Sequence, residues 1–136
     1  MHDLILCVDD DPITLMLCKM VISKASFSKE IITAQNGEEA LNYFDNLKLN
    51  NLGEKINKYA TLVFLDLNMP VMDGWDFLDH FYNEEYTSFF KDTKVIVLSS
   101  TIDPEDINKS KTYPMVIDFI SKPITKEVLE NLKSLI

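Results

Sequence analysis

Five short apolar runs punctuate the chain: Leu4–Val8 (LILCV), Ile31–Ala34 (IITA), Leu62–Leu65 (LVFL), Lys94–Leu98 (KVIVL) and Val116–Ile120 (VIDFI). Each is followed by a segment whose apolar residues recur at helical spacing. After Asp11, a plausible N-cap, and Pro12, suited to a first helical turn, come Ile13, Leu17, Met20 and Val21. Asn36-Gly37 precedes a stripe of Ala40, Leu41, Phe44 and Leu47, and Gly74–Tyr82 carries Phe77, Leu78 and Phe81. Pro104–Lys111 is a weaker, mostly polar helix, and Lys126–Leu135 presents Val128, Leu129, Leu132 and Leu135. These stripes are read as the faces that meet the core. Strand-then-helix repeated in this way predicts five βα units, hence a parallel sheet covered on both faces. Ligands of such open sheets bind at the carboxyl ends of the strands, where strand order reverses.

The 136 residues fit one domain, 1–136, with enough apolar content (46%) for a real core. No apolar run approaches the roughly 20 residues of a membrane span, and the amino terminus has no signal-peptide pattern. A cytoplasmic protein is expected. All thirteen basic residues are lysines and the net charge is −9, which opposes binding to nucleic acid or to an anionic membrane. Cys7 and Cys18 form neither a CxxC pair nor a zinc set and are read as buried thiols. The connections 48–59 and 83–93 are long for βα units. Polar extensions are cheap, and Tyr86, Phe89 and Phe90 leave room in the second for an extra helical turn or a contact surface.

What stands just past each strand carries the chemistry. Asp9 and Asp10 follow the first run, Asp66 the third, Ser99 and Ser100 the fourth, and Ser121, Lys122 and Pro123 the fifth. A parallel sheet brings all of them to one edge. Three carboxylates and one lysine leave about −2 of charge if all ionise, and two like charges a few Å apart repel by about 4 kcal/mol near a protein surface. A divalent cation removes that conflict, and an all-oxygen ligand set without Cys or His favours Mg2+. An acidic cation site that also holds Lys and Ser suits phosphate chemistry, with a carboxylate as nucleophile.

The stretches VDDDP (Val8–Pro12), LDLNMPVMDGWDF (Leu65–Phe77), VLSS (Val97–Ser100) and DFISKP (Asp118–Pro123), in this order, resemble the receiver domain of two-component response regulators. The resemblance covers essentially the whole chain and is to a stand-alone, chemotaxis-regulator-like form. It implies a flavodoxin-like, doubly wound, five-stranded parallel sheet in the order 2-1-3-4-5 with five helices. It implies that Asp66 is the phosphoacceptor, that Asp9, Asp10, Asp66 and the backbone carbonyl of Asn68 hold Mg2+, and that Ser99 and Lys122 meet the phosphoryl group. Phe119 matches the aromatic that swings inward, the Lys122–Pro123 bond matches a cis peptide, and Asn68 and Thr101 match positions that tune dephosphorylation. The implied partners are a sensor histidine kinase or phosphotransfer protein, and a downstream protein reading the face of 104–111, 116–120 and 126–135. With the chain ending at Ile136, no fused output domain is expected, and the protein is read as a phosphoacceptor rather than an enzyme. The family more often has Thr at Ser99 and Tyr at Phe119. Phe lacks a hydroxyl, so its inward state depends on packing alone.

Two other classes use similar residues. A haloacid-dehalogenase-like phosphatase also combines Asp, Mg2+ and Lys, but its D-x-D signature belongs after the first strand and Asn68 stands at its second Asp. A scaffold pseudo-receiver would lack a pocket residue. Asp73-Gly74 is read as a turn and helix start, with Gly74 there for backbone freedom. His2 and His80 are surface imidazoles, and Trp75 is half-exposed packing.

Overall fold

Leu62–Asp66 is buried at every position, as a central strand covered by helices on both faces must be. It is β3 of the computed structural model, which describes residues 2–51 and 58–133. Its companions are β1 (His2–Val8), β2 (Ser28–Ala34), β4 (Lys94–Ser99) and β5 (Val116–Ser121). The five strands form one parallel sheet in the order β2-β1-β3-β4-β5. That is the flavodoxin-like order expected from the sequence.

The helices are α1 (Pro12–Lys24), α2 (Gly37–Asn50), α3 (Gly74–Phe81), α4 (Glu84–Phe89), α5 (Pro104–Ser110) and α6 (Lys126–Leu132). Successive strand residues face opposite sides, so the sheet has two cores. Leu4, Leu6, Val8, Val63, Leu65 and Val95 pack with Phe44 of α2 and with Phe77, Leu78 and Phe81 of α3. Ile5, Cys7, Leu62, Phe64, Ile96 and Leu98 pack with Leu15, Cys18 and Ile22 of α1 and with Leu129 and Leu132 of α6. Both cysteines are free and buried.

Two expectations are corrected. The described residues hold six helices rather than five, because α4 forms within the long segment 83–93. It is tied to α2: the Tyr86 hydroxyl donates to Asp45 at 2.5 Å, and Lys48 lies 4.0 Å from the Tyr86 ring centroid while pairing with Glu85 at 2.5 Å. The second correction is the phase of α1. Ile13, Leu17 and Met20 point outward, 64%, 47% and 46% exposed, and Val21 is only partly buried. The core takes Leu15, Cys18 and Ile22 instead. Both sets recur at helical spacing, so periodicity identifies the helix without choosing which face the sheet buries. Leu135 and half of the 48–59 connection (52–57) lie outside the described residues, as does the side chain of His2.

Caps explain the boundaries. Asp11, Asn36, Asp73, Asn83, Asp103 and Thr125 each accept a first-turn N–H of the helix that follows, satisfying a donor that the helix itself leaves orphaned. Five of these caps, all but Asn83, stand in loops at the carboxyl edge and so fix how the chain leaves that edge. Among the described residues no helix is long and apolar enough to cross a membrane.

Candidate functional site

The register of the sheet assembles the site. Val8 pairs with Leu65, so Asp9 and Asp66 stand at neighbouring strand ends. Asp66 pairs with Leu98, and Ser99 with Ser121. The Lys122 N–H then donates to the Ser99 carbonyl at 2.8 Å, which swings the lysine stem back over the edge. Residues 113 positions apart meet there: Lys122 Nζ is 2.5 Å from Asp9 Oδ2 and 3.3 Å from Asp66 Oδ1.

Burial divides the acids. Asp9, Asp66 and Ser99 are 4%, 6% and 2% exposed, whereas Asp10 is exposed and has no hydrogen-bond or ion-pair partner among the described residues. One carboxylate oxygen from each of Asp9, Asp10 and Asp66 lies within 4.8 Å of the others. Burial, and then the charge of Asp9, push the Asp66 carboxyl above the usual aspartate range, with Lys122 countering part of the rise. Burial also weighs against the Lys122 ammonium, but the carboxylates of Asp9 and Asp66 outweigh it and raise its affinity for the proton. Too much negative charge is thus gathered for one ammonium to satisfy. The donor set is all oxygen, which fits a hard divalent cation such as Mg2+.

The surroundings hold these groups in place. The Asp11 N–H donates to Asp9 Oδ1 at 3.0 Å, and the Asn68 N–H reaches Asp66 Oδ1 at 3.4 Å. Ser99 Oγ accepts the Thr101 N–H at 3.3 Å. The Lys122–Pro123 bond is cis. Phe119, half-buried on β5, donates its N–H to Asp118 Oδ1 at 2.8 Å.

Comparison with known proteins decides the family. Residues 5–133 match the model of the response regulator receiver domain. The chain belongs to that family. This receiver is 30% identical over 128 residues to the two-component response regulator ORR26 of Oryza sativa subsp. japonica, covering 94% of this chain and 19% of that protein. It spans about a fifth of the length of the curated plant relatives it matches. A two-component response regulator from Cytophaga hutchinsonii superposes with a TM-score of 0.84 at 29% identity, covering 98% of this chain and 96% of that one. The phosphorylated cyanobacterial phytochrome response regulator RcpA gives 0.72 at 26% identity, covering 99% and 91%.

Two features of the receiver's site loop were not read from the sequence. Gly74 is glycine because of space rather than backbone freedom. A Cβ there would lie 2.5 Å from the Asp66 carbonyl oxygen and 2.9 Å from Leu67 Cα, while the Gly74 N–H donates to the Leu67 carbonyl at 3.0 Å. α3 is thereby seated directly against the backbone of the residue that ends β3. Three residues earlier Val71 holds φ at 68° while 77% exposed, a left-handed conformation unusual for a β-branched side chain. The Asp-Gly pair signals the turn but not this close approach.

Proposed function

We propose that this receiver is a phosphorylation switch whose acceptor is Asp66. The observation that carries the reading is a buried aspartate ringed by two further carboxylates within 4.8 Å and by an ammonium at 3.3 Å. Such a group is costly at rest and gains a role when phosphate and a cation arrive. The donor is the phosphohistidine of a sensor histidine kinase or phosphotransfer protein in the cytoplasm. An Asp66 carboxylate oxygen attacks phosphorus, a P–O bond forms, and the P–N bond breaks with its electron pair returning to the imidazole. Asp9, Asp10, Asp66 and the Asn68 carbonyl would hold Mg2+, whose charge offsets that of the phosphoryl oxygens. RcpA, 26% identical and phosphorylated in its solved structure, supports transfer of the same chemistry to this chain.

Phosphorylation adds about −1.5 to −2 charges at the strand edge. Lys122 stands ready to turn from Asp9 toward the new phosphoryl oxygens, and the Ser99 hydroxyl to donate to them. Withdrawal of Ser99 frees space for Phe119 to reorient, and the face formed by α5, β5 and α6 changes for a downstream protein. Asn68 and Thr101, exposed at the rim, tune water's access to the acyl phosphate. The signal passes to a downstream protein that reads this face, and the receiver catalyses only its own phosphorylation and dephosphorylation.

Acetyl phosphate with Mg2+ tests this reading by intact-protein mass. One labile phosphoryl mass on the wild type, absent from Asp66→Asn, is expected. No adduct on the wild type overturns it, and steady phosphate release with turnover would point to a phosphatase instead.

A further inference from the structure

α5, like α4, has little apolar anchorage of its own. None of its seven residues belongs to either core, and Ser110 alone is buried. Ile107, half-buried, faces a groove of about 290 Å³ between α5 and β5, which Val116, Asp118 and Phe119 also line. Apolar burial, the usual anchor of a helix, is nearly missing.

What meets α5 from α3 is an aromatic platform. Lys109 Nζ lies 4.3 Å from the centroid of the Trp75 ring. Trp75 stacks on Tyr113, with centroids 6.2 Å apart and planes at 28°. The Tyr113 hydroxyl donates to Asp79 of α3, and Tyr82 meets the Tyr113 ring edge-on at 6.1 Å. Burial and the Asp79 carboxylate push the Tyr113 phenol up to about 12, so it remains a donor at neutral pH. Trp75 and Tyr113 pack with the core while Lys109 is exposed. The rings form a fixed seat, and the lysine is the part that can leave.

The position of this seat gives it a use. Trp75 is the second residue of α3, next to the Gly74 that packs on the Asp66 carbonyl. α5 opens at the end of the short loop that leaves Ser99. The contact therefore joins the two elements that lead away from the acceptor and from the hydroxyl. We propose that Lys109, Trp75, Tyr113 and Asp79 form a clasp that holds α5 against α3 and opposes the rearrangement that phosphorylation drives. This rests on Asp66 being the acceptor. An exposed cation on a ring biases an equilibrium by about two- to five-fold, enough to set the resting population without locking it.

Lys109→Met keeps the aliphatic stem and removes the charge; Lys109→Arg keeps the cation over the ring. Amide hydrogen exchange across 104–110 of the unmodified protein, and the beryllofluoride midpoint read with Mg2+ from Trp75, the only tryptophan of the chain, are measured for both variants. For Lys109→Met, exchange speeds up and the midpoint falls, each by about two- to five-fold, while Lys109→Arg stays at wild-type values. Unchanged exchange and midpoint in Lys109→Met overturn the clasp alone. Faster exchange with an unchanged midpoint overturns its regulatory role. If the wild type forms no beryllofluoride complex and takes no phosphoryl group, the acceptor reading and the regulatory role fall together.

Discussion

Replacing Asp66 by Asn should stabilise the metal-free protein. The Asp66 carboxylate has those of Asp9 and Asp10 within 4.8 Å and the Lys122 ammonium at 3.3 Å. At an effective dielectric of about 20, a contact of this length is worth about 4 kcal/mol for either sign. Repulsion from buried Asp9 and attraction to Lys122 therefore nearly cancel. What remains is the desolvation of Asp66 and a solvent-screened repulsion from exposed Asp10, together about 1–2 kcal/mol. For a chain of this size each kcal/mol moves Tm by about 3–5 °C. Calorimetry at pH 7 in EDTA should place Asp66→Asn about 3–10 °C above the wild type. The pH dependence follows from the raised carboxyl. A folded-state pKa above the unfolded value means that folding takes up a proton; the wild type loses stability as pH rises through it, and the gap closes on acidification. Saturating Mg2+ should narrow or reverse the gap, since ligand binding to the native state at a hundred times Kd adds about 2.7 kcal/mol. An Asp66→Asn protein that melts at or below the wild type in EDTA at pH 7 would refute this electrostatic account of the site.

Three further outcomes are accessible to the same instruments. Gly74→Ala sets a Cβ 2.5 Å from the Asp66 carbonyl oxygen, a backbone atom that cannot swing aside; a loss of about 1–3 kcal/mol and slower phosphorylation by acetyl phosphate are expected. Val71→Asn should raise stability by up to about 1 kcal/mol, because Asn tolerates φ of 68° and the exposed valine forfeits little packing; a lower denaturation midpoint would argue against it. Ser99→Ala should still take up phosphate, more slowly, while hydrogen-exchange changes across 104–121 on phosphorylation largely vanish.

The sheet and the site were legible in the sequence for one reason. Each strand carries a short, mostly apolar run, and Asp9, Asp66 and Ser99 each follow one directly, so strand register brings them together with Lys122. Features that depend on three-dimensional choice were not legible. α1 offers two helical stripes, and only the packed molecule selects Leu15, Cys18 and Ile22 over Ile13, Leu17 and Met20. α4 has no buried residue of its own and relies on Asp45 and Lys48, about forty positions earlier. The close seat of Gly74 on Asp66 and the approach of Lys109 to Trp75 are likewise distances between separate elements, on which local composition is silent.

The central claim is that the phosphoryl group resides on the side chain of Asp66. An acyl phosphate is reduced by borohydride to the corresponding alcohol, so treating the acetyl-phosphate-loaded protein with borohydride marks the acceptor permanently. Peptide mapping should find homoserine at position 66 and aspartate unchanged at positions 9 and 10. Homoserine at Asp9 or Asp10, or a loaded protein without homoserine at all, would contradict the assignment.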